Sequence, residues 1–309
     1  MLKTLFYLII MPGFLFTAVA GLMSSWIDRK VTARLQWRQG PPIYQPIADI
    51  LKLLGKEVFV PEGASKAVFL STPLIGLAAV TVVSTVLWIL NINIFKSFAG
   101  DLIVLYYLLT IPALSSIIGG SASGNPFSAL GAGREMKLML AYELPFVIVL
   151  ATIIARTGSI VIGMIIGYQA SHGMLIMSAS GAIAFIVSIL VIQAKLGFVP
   201  FDVAEAEQEI MGGTTLEYSG APLAVIKLTK SMLLFTLPTF LITLFLGGID
   251  TFSIGGALWF ILKYFLILAL MILIKNTNPR IRADQAVRFF WGPVSALAAI
   301  GFILAIRGF

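Results

Sequence analysis

Long apolar segments are the feature that most constrains this chain. A helix needs about 20 mostly apolar residues to cross roughly 30 Å of hydrocarbon. Backbone amides in lipid must bond within their own segment, and these runs lack polar alternation, so they are predicted to be transmembrane helices. Eight such segments occur: Thr4–Trp26, Ala67–Ile92, Leu102–Gly119, Leu138–Ala155, Met174–Ala194, Leu223–Leu246, Ile254–Ile274 and Phe289–Ile306.

The low charge content supports the same interpretation. Of the 309 residues, 59% are apolar and only 11% are charged. A soluble domain carries about 25% charged residues, and burying a core does not require fewer. A lipid environment does require fewer charged residues, because placing an ionised side chain in hydrocarbon costs several kcal/mol. We therefore expect an all-α integral membrane protein, with residues 1–309 forming a single membrane domain.

Basic residues are distributed unequally between the two sides of these segments. The two termini and the even-numbered loops hold four Lys and Arg residues, whereas the odd-numbered loops hold fourteen. The positive-inside rule then predicts cytoplasmic odd-numbered loops and both termini outside. A multi-pass protein of the plasma membrane is the expected location. No soluble basic patch is present, so a nucleic-acid partner is not expected.

The chain offers few ligands for metals or redox groups. It has no cysteine, which excludes disulfides, Cys-ligated zinc and iron–sulfur clusters held by this chain alone. His172 is its one histidine, which does not favour a His-based metal or haem site. We expect no cofactor here, so any redox chemistry belongs to a partner.

The first loop predicts two amphipathic helices. Lys30, Arg34 and Arg38 step by four residues and would share one helix face, until Gly40-Pro41-Pro42 ends the helix. A second amphipathic helix is predicted for Pro46–Lys56. Such helices can lie in the membrane interface and bind anionic lipid. The alternative is a docking platform for a soluble partner.

The fifth loop is acidic. If Val203–Met211 is helical, Glu205 and Glu209 share a face while Glu207 points elsewhere. Crowded carboxylates at a membrane surface are candidates for proton relay. The alternative is a solvated acidic loop. The loop contains five of the 14 acidic residues: Asp202, Glu205, Glu207, Glu209 and Glu217.

Four ionisable residues fall inside the predicted spans. Glu143 lies several residues inside the fourth span, where a carboxylate is a functional candidate by default. Lys227 and Lys230 share a face of the sixth span and are near enough to its cytoplasmic end to snorkel. Lys263 lies nearer mid-span. A buried chain of Glu and Lys would suit proton transfer, but the sequence does not show that these residues meet.

Short strings in three loops resemble a known family, the membrane subunit of respiratory complex I called NuoH or subunit 1. Their order and their positions on the predicted cytoplasmic loops make the combination specific. The first loop carries Asp28-Arg29-Lys30, Ala33-Arg34-Leu35-Gln36, Gly40-Pro41, Gln45-Pro46-Ile47-Ala48-Asp49 and Leu51-Lys52-Leu53-Leu54. The third loop and fourth span carry Ala129-Leu130-Gly131-Ala132, Arg134 and Tyr142-Glu143-Leu144-Pro145. The acidic loop carries Pro200-Phe201-Asp202, Glu205-Ala206-Glu207 and Glu217-Tyr218-Ser219-Gly220.

The resemblance implies a role in a larger complex. Members of this family anchor a soluble redox arm, made of a hydrogenase-like large subunit and an iron–sulfur small subunit, to antiporter-like membrane subunits. Iron–sulfur clusters, and in some complexes nickel–iron, would then belong to the partners. Carboxylates matching Glu143, Glu205, Glu207 and Glu209 are expected in the ion pathway. Lys227, Lys230 and Lys263 are added to that pathway because they lie inside the predicted spans. The residues expected to dock the redox arm are Arg29, Arg34, Arg38, Asp49, Arg134, Asp202, Glu217 and Tyr218.

The first loop differs in one respect from that of the quinone-reducing members, and the difference bears on which electron acceptor the complex uses. Only Pro42, Ile43 and Tyr44 separate the Gly-Pro and Gln-Pro strings of the first loop. This short form is similar to that of ferredoxin-linked membrane-bound hydrogenases and sulfane-sulfur reductases. The favoured hypothesis is therefore a non-catalytic coupling subunit of such a complex, moving H⁺ or Na⁺. The alternatives are the quinone-binding subunit of an NADH:quinone oxidoreductase, a stand-alone secondary transporter, and a passive anchor without a proton role.

Overall fold

The computed structural model describes residues 2–205, 211–250 and 253–308. Those ranges are helical, with short turns and no strand between the helices. The helices are α1 Leu2–Ile9, α2 Phe14–Leu35, α3 Gln45–Leu54, α4 Lys66–Ile92, α5 Asp101–Leu108, α6 Ile111–Ala122, α7 Pro126–Thr157, α8 Ile162–His172, α9 Ala179–Lys195, α10 Gly220–Phe245, α11 Ile254–Thr277, α12 Ala283–Phe289 and α13 Ser295–Ile306.

The prediction of an all-α membrane protein is confirmed. Seven helical segments of the described ranges are long and apolar enough to cross a membrane. The segment at the predicted fifth span is shorter, because a separate turn at Leu175–Met177 precedes α9 and leaves that helix 17 residues long. At 1.5 Å per residue, α9 is about 26 Å long, close to the thickness of the hydrocarbon.

The first predicted span is interrupted, because α1 ends at Ile9 and α2 begins at Phe14, and it extends further than predicted. Helix α2 continues past Trp26 to Leu35, because the sequence contains no helix breaker before Gly40. Trp37 adopts a positive φ of 58° just after the helix, and Arg38 therefore lies outside it. The prediction that Lys30, Arg34 and Arg38 share one helix face was wrong for Arg38.

The second amphipathic helix of the first loop is confirmed as α3. Its buried residues are Pro46 and Leu53, while Leu51 and Leu54 are exposed. The helix packs against α2 and α10. One face of α3 therefore closes onto the helical bundle and the other faces away from it.

The fourth span also begins earlier than predicted. Helix α7 starts at Pro126, where the Asn125 side chain accepts a hydrogen bond from the Phe127 amide and caps the helix. The third loop is thus largely helical. Gly158, with φ +68°, ends α7, so the apolar run that follows does not extend this helix but begins α8.

Helix α10 lies at the centre of the bundle. Every residue from Met232 to Phe245 is buried. Helix α10 packs against α2 and α4, while α7 packs against α6, α9 and α13. Helices α2 and α10 cross closely at Gly21, where an added Cβ would lie 2.5 Å from the Ser231 carbonyl oxygen.

The first, third and fifth loops meet at one end of the bundle, which we call the loop face. The Phe59 amide donates to Ser219 Oγ at 3.0 Å, and the Ser65 amide donates to the Ala122 carbonyl at 3.0 Å. The Asn125 side-chain amide donates to Glu217. Because these hydrogen bonds join three loops, the loop face has a defined surface.

Candidate functional site

Glu143 is held at the centre of a buried polar cluster. Lys195, the last residue of α9, places its Nζ 2.7 Å from Glu143 Oε1. The Tyr106 hydroxyl, from α5, donates to Glu143 Oε2. Three helices that lie far apart in the sequence therefore converge on one carboxylate.

Lys195 is more enclosed than its partner. Its side chain is 3% exposed and that of Glu143 is 15% exposed. The ammonium lies 5.0 Å from the centre of the Tyr142 ring and 5.3 Å from that of Phe146, so two aromatic faces replace part of its hydration. Removing one partner of a buried ion pair costs roughly 3–5 kcal/mol, because the other charge is left unpaired. Glu143 and Lys195 therefore each depend on the other to neutralise a buried charge.

A second ion pair lies at the loop-face end of α10. The Lys230 ammonium donates to the Glu205 carboxylate. These side chains are not sealed off, since 41% of Lys230 and 34% of Glu205 remain accessible. Glu135, on α7, is close enough to Lys230, Glu205 and Asp202 to interact with all three electrostatically.

Asp202 extends this second group of charges. Its carboxylate accepts a hydrogen bond from Arg280, which follows α11. Burial raises the pKa of Asp202 above its usual value, although the Arg280 guanidinium acts in the opposite direction. Asp202 thus sits in a partly desolvated position beside Glu205 and Lys230.

One cavity connects the two ion pairs. It has a volume of about 60 Å³ and is bounded by α4, α6, α7 and α10 together with residues 195–205. A cavity of this size with polar partners can hold several water molecules. Five ionisable residues line what we call the charged cavity: Glu135, Lys195, Asp202, Glu205 and Lys230.

The predicted pathway residues do not all meet here. Glu143, Glu205 and Lys230 belong to this region, and Lys227 lines a neighbouring cavity. Lys263 lies elsewhere, with its ammonium donating to the Leu246 carbonyl at the far end of α10. Lys230 and Leu246 are sixteen positions apart, which corresponds to about 24 Å of helix. Glu207 and Glu209 lie outside the described residues.

Two of the predicted docking residues pair with each other. Arg29 contacts Asp49 at 2.8 Å and joins the end of α2 to α3. Partial burial alone would raise the pKa of Asp49, but hydrogen bonds from Arg29 and Gln45 hold that pKa below its usual value. The pair adds a polar contact to the packing of α3 on α2 and α10.

The remaining docking candidates have different environments. Arg34 and Arg38 are exposed on the loop face, and Arg134 is half-buried on α7. Tyr218 is buried, stacks on Phe69 at 4.1 Å and donates to its carbonyl. That burial raises the pKa of the Tyr218 phenol. The side chain of Tyr218 therefore holds two segments of this chain together and is not on the surface.

Reasoning from the sequence missed several members of the cluster. None of Lys195, Tyr106 and Glu135 was selected as a site residue, and Lys195 entered only the count of basic residues in the odd-numbered loops. The signal for Lys195 was its position directly after an apolar run. A lysine there can be the last residue of a transmembrane helix, with its side chain directed toward a neighbouring helix. An ion pair between Asp28 and Lys275, at 2.8 Å, was also not anticipated.

No metal site is found within residues 2–205, 211–250 and 253–308, where no three His, Asp or Glu side chains converge suitably. Carboxylate and ammonium groups that line a cavity able to hold water can exchange protons.

The comparisons with known proteins cover nearly the whole chain. A family model described as NADH dehydrogenase matches residues 6–306. The chain belongs to this NADH dehydrogenase family. Among its relatives in the family, the NuoH-type subunit of NADH-quinone oxidoreductase from Bacillus cytotoxicus is 32% identical over 300 residues, covering 93% of this chain and 89% of that one. The corresponding protein of Bacillus thuringiensis is also 32% identical, over 302 residues.

A solved structure agrees with the family assignment. The match is to a chain of the membrane-bound sulfane sulfur reductase, described as an archaeal respiratory membrane complex. The TM-score is 0.89 at 29% identity, and the match covers 99% of this chain and all of that one. The resemblance to NuoH and to the sulfane-sulfur reductase anchor, based on the loop strings, is therefore confirmed.

Proposed function

We propose that this chain is the membrane-embedded coupling subunit of a complex-I-related respiratory oxidoreductase. It docks a soluble arm, consisting of a hydrogenase-like large subunit and an iron–sulfur small subunit, and links electron transfer there to H⁺ or Na⁺ movement in antiporter-like membrane subunits. The loop face is cytoplasmic in this proposal, and the membrane is the plasma membrane.

The observation that carries the proposal is the continuity of charge from the loop face into the bundle. Asp202, Glu205 and Lys230 lie at the loop end of the charged cavity. Lys195 lines the same cavity and forms an ion pair with Glu143. A change in the arm that shifts protonation near Glu205 can therefore alter the Lys195–Glu143 pair electrostatically. Such a chain of coupled pairs suits a coupling role more than passive anchoring.

The position of the polar residues supports coupling over independent transport. A stand-alone transporter is expected to bind its solute near mid-membrane on interrupted helices. Here the charged cavity and its ion pairs gather toward the loop face, where α3 and the exposed Arg34 and Arg38 also lie. Charge on that face can orient a partner through electrostatic complementarity.

Two classes of electron acceptor for the complex are supported by different observations. The short first loop and the match to the sulfane sulfur reductase chain favour a ferredoxin-fed hydrogenase or sulfur reductase. The names of the Bacillus relatives favour the alternative, a subunit that helps to bind quinone. Reduction of a quinone analogue by the purified complex would support the second.

The direct test replaces Glu143 by Gln. Gln keeps the shape and can still accept from Tyr106, but it cannot carry a proton or pair with Lys195 as an anion. We expect the complex to assemble and transfer electrons, while the number of ions moved per electron in sealed vesicles falls. Unchanged ion movement would contradict the assignment of Glu143.

A further inference from the structure

A large cavity lies at the end of the bundle opposite the loop face, and we call it the far cavity. Its volume is about 390 Å³, within the range of roughly 300–1,000 Å³ typical of sites for small molecules. The end of α8 and the turn at Leu175–Met177 form one wall, and the first half of α11 forms the opposite wall. The loop that follows α10 forms the third.

Lys263 brings a positive charge into the far cavity. The residue is only 8% exposed, its ammonium donates to the Leu246 carbonyl, and that ammonium lies 5.8 Å from the centre of the Trp259 ring. No ion pair joins it to a carboxylate of the described residues, whereas the equally buried Lys195 has one. An ammonium has three N–H donors, and the Leu246 carbonyl engages one of them.

The surroundings of Lys263 compensate its charge only in part. The carbonyl end of α10 carries about half a negative elementary charge, whereas a buried ion is costly unless it is paired and hydrogen-bonded. Gln169, which also lines the cavity, is engaged elsewhere, since its Nε2 donates to the Thr243 carbonyl at 3.1 Å and its Oε1 accepts from the Gly247 amide at 2.8 Å. The base of the far cavity is therefore complementary to an anionic group.

A carboxylate lies nearer the opening of the same cavity. Asp250 is exposed, and it accepts a hydrogen bond from Ser253 Oγ at 2.8 Å just before α11 begins. Lys263 is nine positions into α11, about 14 Å along the helix from its first residue. The far cavity thus presents a buried positive charge and, closer to the end of the bundle, a negative charge.

The other walls of the far cavity are apolar and reach the outer surface of the bundle. Met177 and Trp259 line the cavity and are both exposed, and Leu258, beside Trp259, is exposed as well. Tryptophan is enriched where hydrocarbon meets the headgroups of a bilayer. A ligand that suits this cavity is therefore amphipathic, with an apolar part that can leave the cavity along the outer surface of α11.

We propose that the far cavity binds one glycerophospholipid with a headgroup of the phosphoethanolamine type. Its phosphate accepts from the Lys263 ammonium, its amine donates to the Asp250 carboxylate, and its acyl chains lie against Met177 and Trp259. The order of acyl chain, phosphate and amine in such a lipid matches the order of apolar wall, buried cation and exposed carboxylate in the cavity.

The bound lipid would fill the gap between the turn at Leu175–Met177 and α11. Helix α11 packs on α2 and α10, and the far cavity separates it from that turn. This inference does not depend on the proposed coupling function, because a lipid held here is a structural part of the protein at the end opposite the loop face.

Photolabelling of the purified complex tests the proposal. The complex is reconstituted in phosphatidylcholine vesicles that contain a small fraction of phosphatidylethanolamine with a photoreactive acyl chain. Matching probes with phosphatidylcholine and phosphatidylglycerol headgroups are used in parallel. Mass spectrometry of the digested chain then locates the labelled peptides. We expect the phosphatidylethanolamine probe to label the walls of the far cavity, around residues 174–177 and 254–263, more than either other probe does.

Lys263→Met removes the cation that receives the phosphate. We expect labelling of the cavity walls by the phosphatidylethanolamine probe to fall by about tenfold or more, as for the loss of a hydrogen bond between charged groups. Lys96→Met is the matched control, because Lys96 is an exposed lysine at the same end of the bundle and its ammonium also lies near a ring, 5.5 Å from the centre of that of Tyr7. Labelling in this control should be unchanged.

Asp250→Asn separates recognition of the amine from recognition of the phosphate. Asn keeps an oxygen that accepts from Ser253 but has no charge, and the exposed position makes loss of folding no obstacle. We expect the preference for the phosphatidylethanolamine probe over the phosphatidylcholine probe to disappear. Labelling by both should remain above that in Lys263→Met. This variant tests the proposal even if Lys263→Met fails to assemble.

Three results would overturn the lipid site. Equal labelling of the native chain by all three probes would show only the lipid layer that surrounds any membrane protein. Absence of label from the cavity walls would show that a partner subunit or water occupies the cavity. Competition by water-soluble glycerophosphoethanolamine as effective as that by the intact lipid would show that the cavity takes a soluble solute.

Discussion

At the scale of single residues, the Glu143 cluster combines an ion pair, a phenol donor and aromatic walls. A carboxylate in this position needs compensation, because a charge in a low-dielectric interior is costly unless it is paired and hydrogen-bonded. Lys195 provides the pairing and Tyr106 the additional hydrogen bond. These groups can also change protonation together, so the contacts that stabilise the cluster are those that would carry its function.

The phenol can be tested without disturbing the packing. Tyr106→Phe keeps the ring, which lies 5.6 Å from that of Phe146, and removes the donor to Glu143. A hydrogen bond to a charged group contributes about 1.5–3 kcal/mol, so we expect fewer ions moved per electron with electron transfer retained. Tyr107→Phe is the control, because Tyr107 is 63% exposed. An equal effect of both substitutions would rule out a specific role for the Tyr106 hydroxyl.

The ion pair predicts a rescue by a second substitution. Lys195→Met leaves the Glu143 carboxylate buried without its partner, and we expect a loss of roughly 3–5 kcal/mol in stability. Adding Glu143→Gln removes the unpaired charge and should restore much of that loss. Thermal unfolding of the detergent-solubilised protein measures both variants. A double variant as unstable as the sum of the two single variants would show that the pair is not coupled.

At the scale of elements, glycines mark the positions where helices approach most closely. Helices α2 and α10 cross at Gly21 with no space for a larger side chain. A similar approach occurs at Gly131 on α7, where an added Cβ would lie 2.7 Å from Gly213 Cα. This contact seats the turn before α10 against α7 and so positions the wall of the charged cavity.

Gly21→Ala tests the first of these contacts. The new methyl group would lie 2.5 Å from the Ser231 carbonyl oxygen, and that atom belongs to helix backbone that cannot rotate away. We expect α2 and α10 to separate, with a loss of about 1–3 kcal/mol typical of overpacking. Gly167→Ala in α8 is the control, since nothing lies within 4 Å of its added Cβ. Similar melting temperatures for the two variants would contradict the close crossing.

At the scale of the whole molecule, the loop face is the surface through which a partner would be recognised. The first, third and fifth loops hydrogen-bond to one another there, so the surface is formed before any partner binds. A preformed surface loses less conformational entropy on binding than flexible loops do. Arg34 and Arg38 add exposed positive charge to it.

Replacing Arg34 and Arg38 together by Gln should weaken the attachment of the soluble arm. Electrostatic contacts between exposed groups are screened by salt, so the difference should be largest when washing begins at low ionic strength. The measurement is the amount of arm that remains on washed membranes as salt is raised. Lys96→Gln with Arg307→Gln, at exposed sites remote from the loop face, is the matched control. Retention of the arm by the Arg34 and Arg38 variant through a high-salt wash would refute docking at that face.

The spans could be read from the sequence because lipid imposes a local rule: each helix must be apolar and long enough to cross, whatever its neighbours are. That rule located seven crossing segments and the shorter α9. It was less accurate at the ends, since α2 and α7 continue as helices into the loop face, where lipid no longer sets the length. The loop strings identified the family for a related reason. Their residues and their order are properties of the linear sequence and can be recognised without the tertiary structure.

What the sequence by itself determined, then, is the membrane class, the helical segments and the family, and it also selected Glu143 as a candidate residue. Only the tertiary structure decided which charges meet. Glu143 and Lys195 are 52 residues apart and pair because α7 packs on α9, while Lys263 is carried to the far end of α10. The charged cavity likewise depends on how α4, α6, α7 and α10 pack together. Distances between side chains on different helices are set by packing, which no local pattern of residues contains.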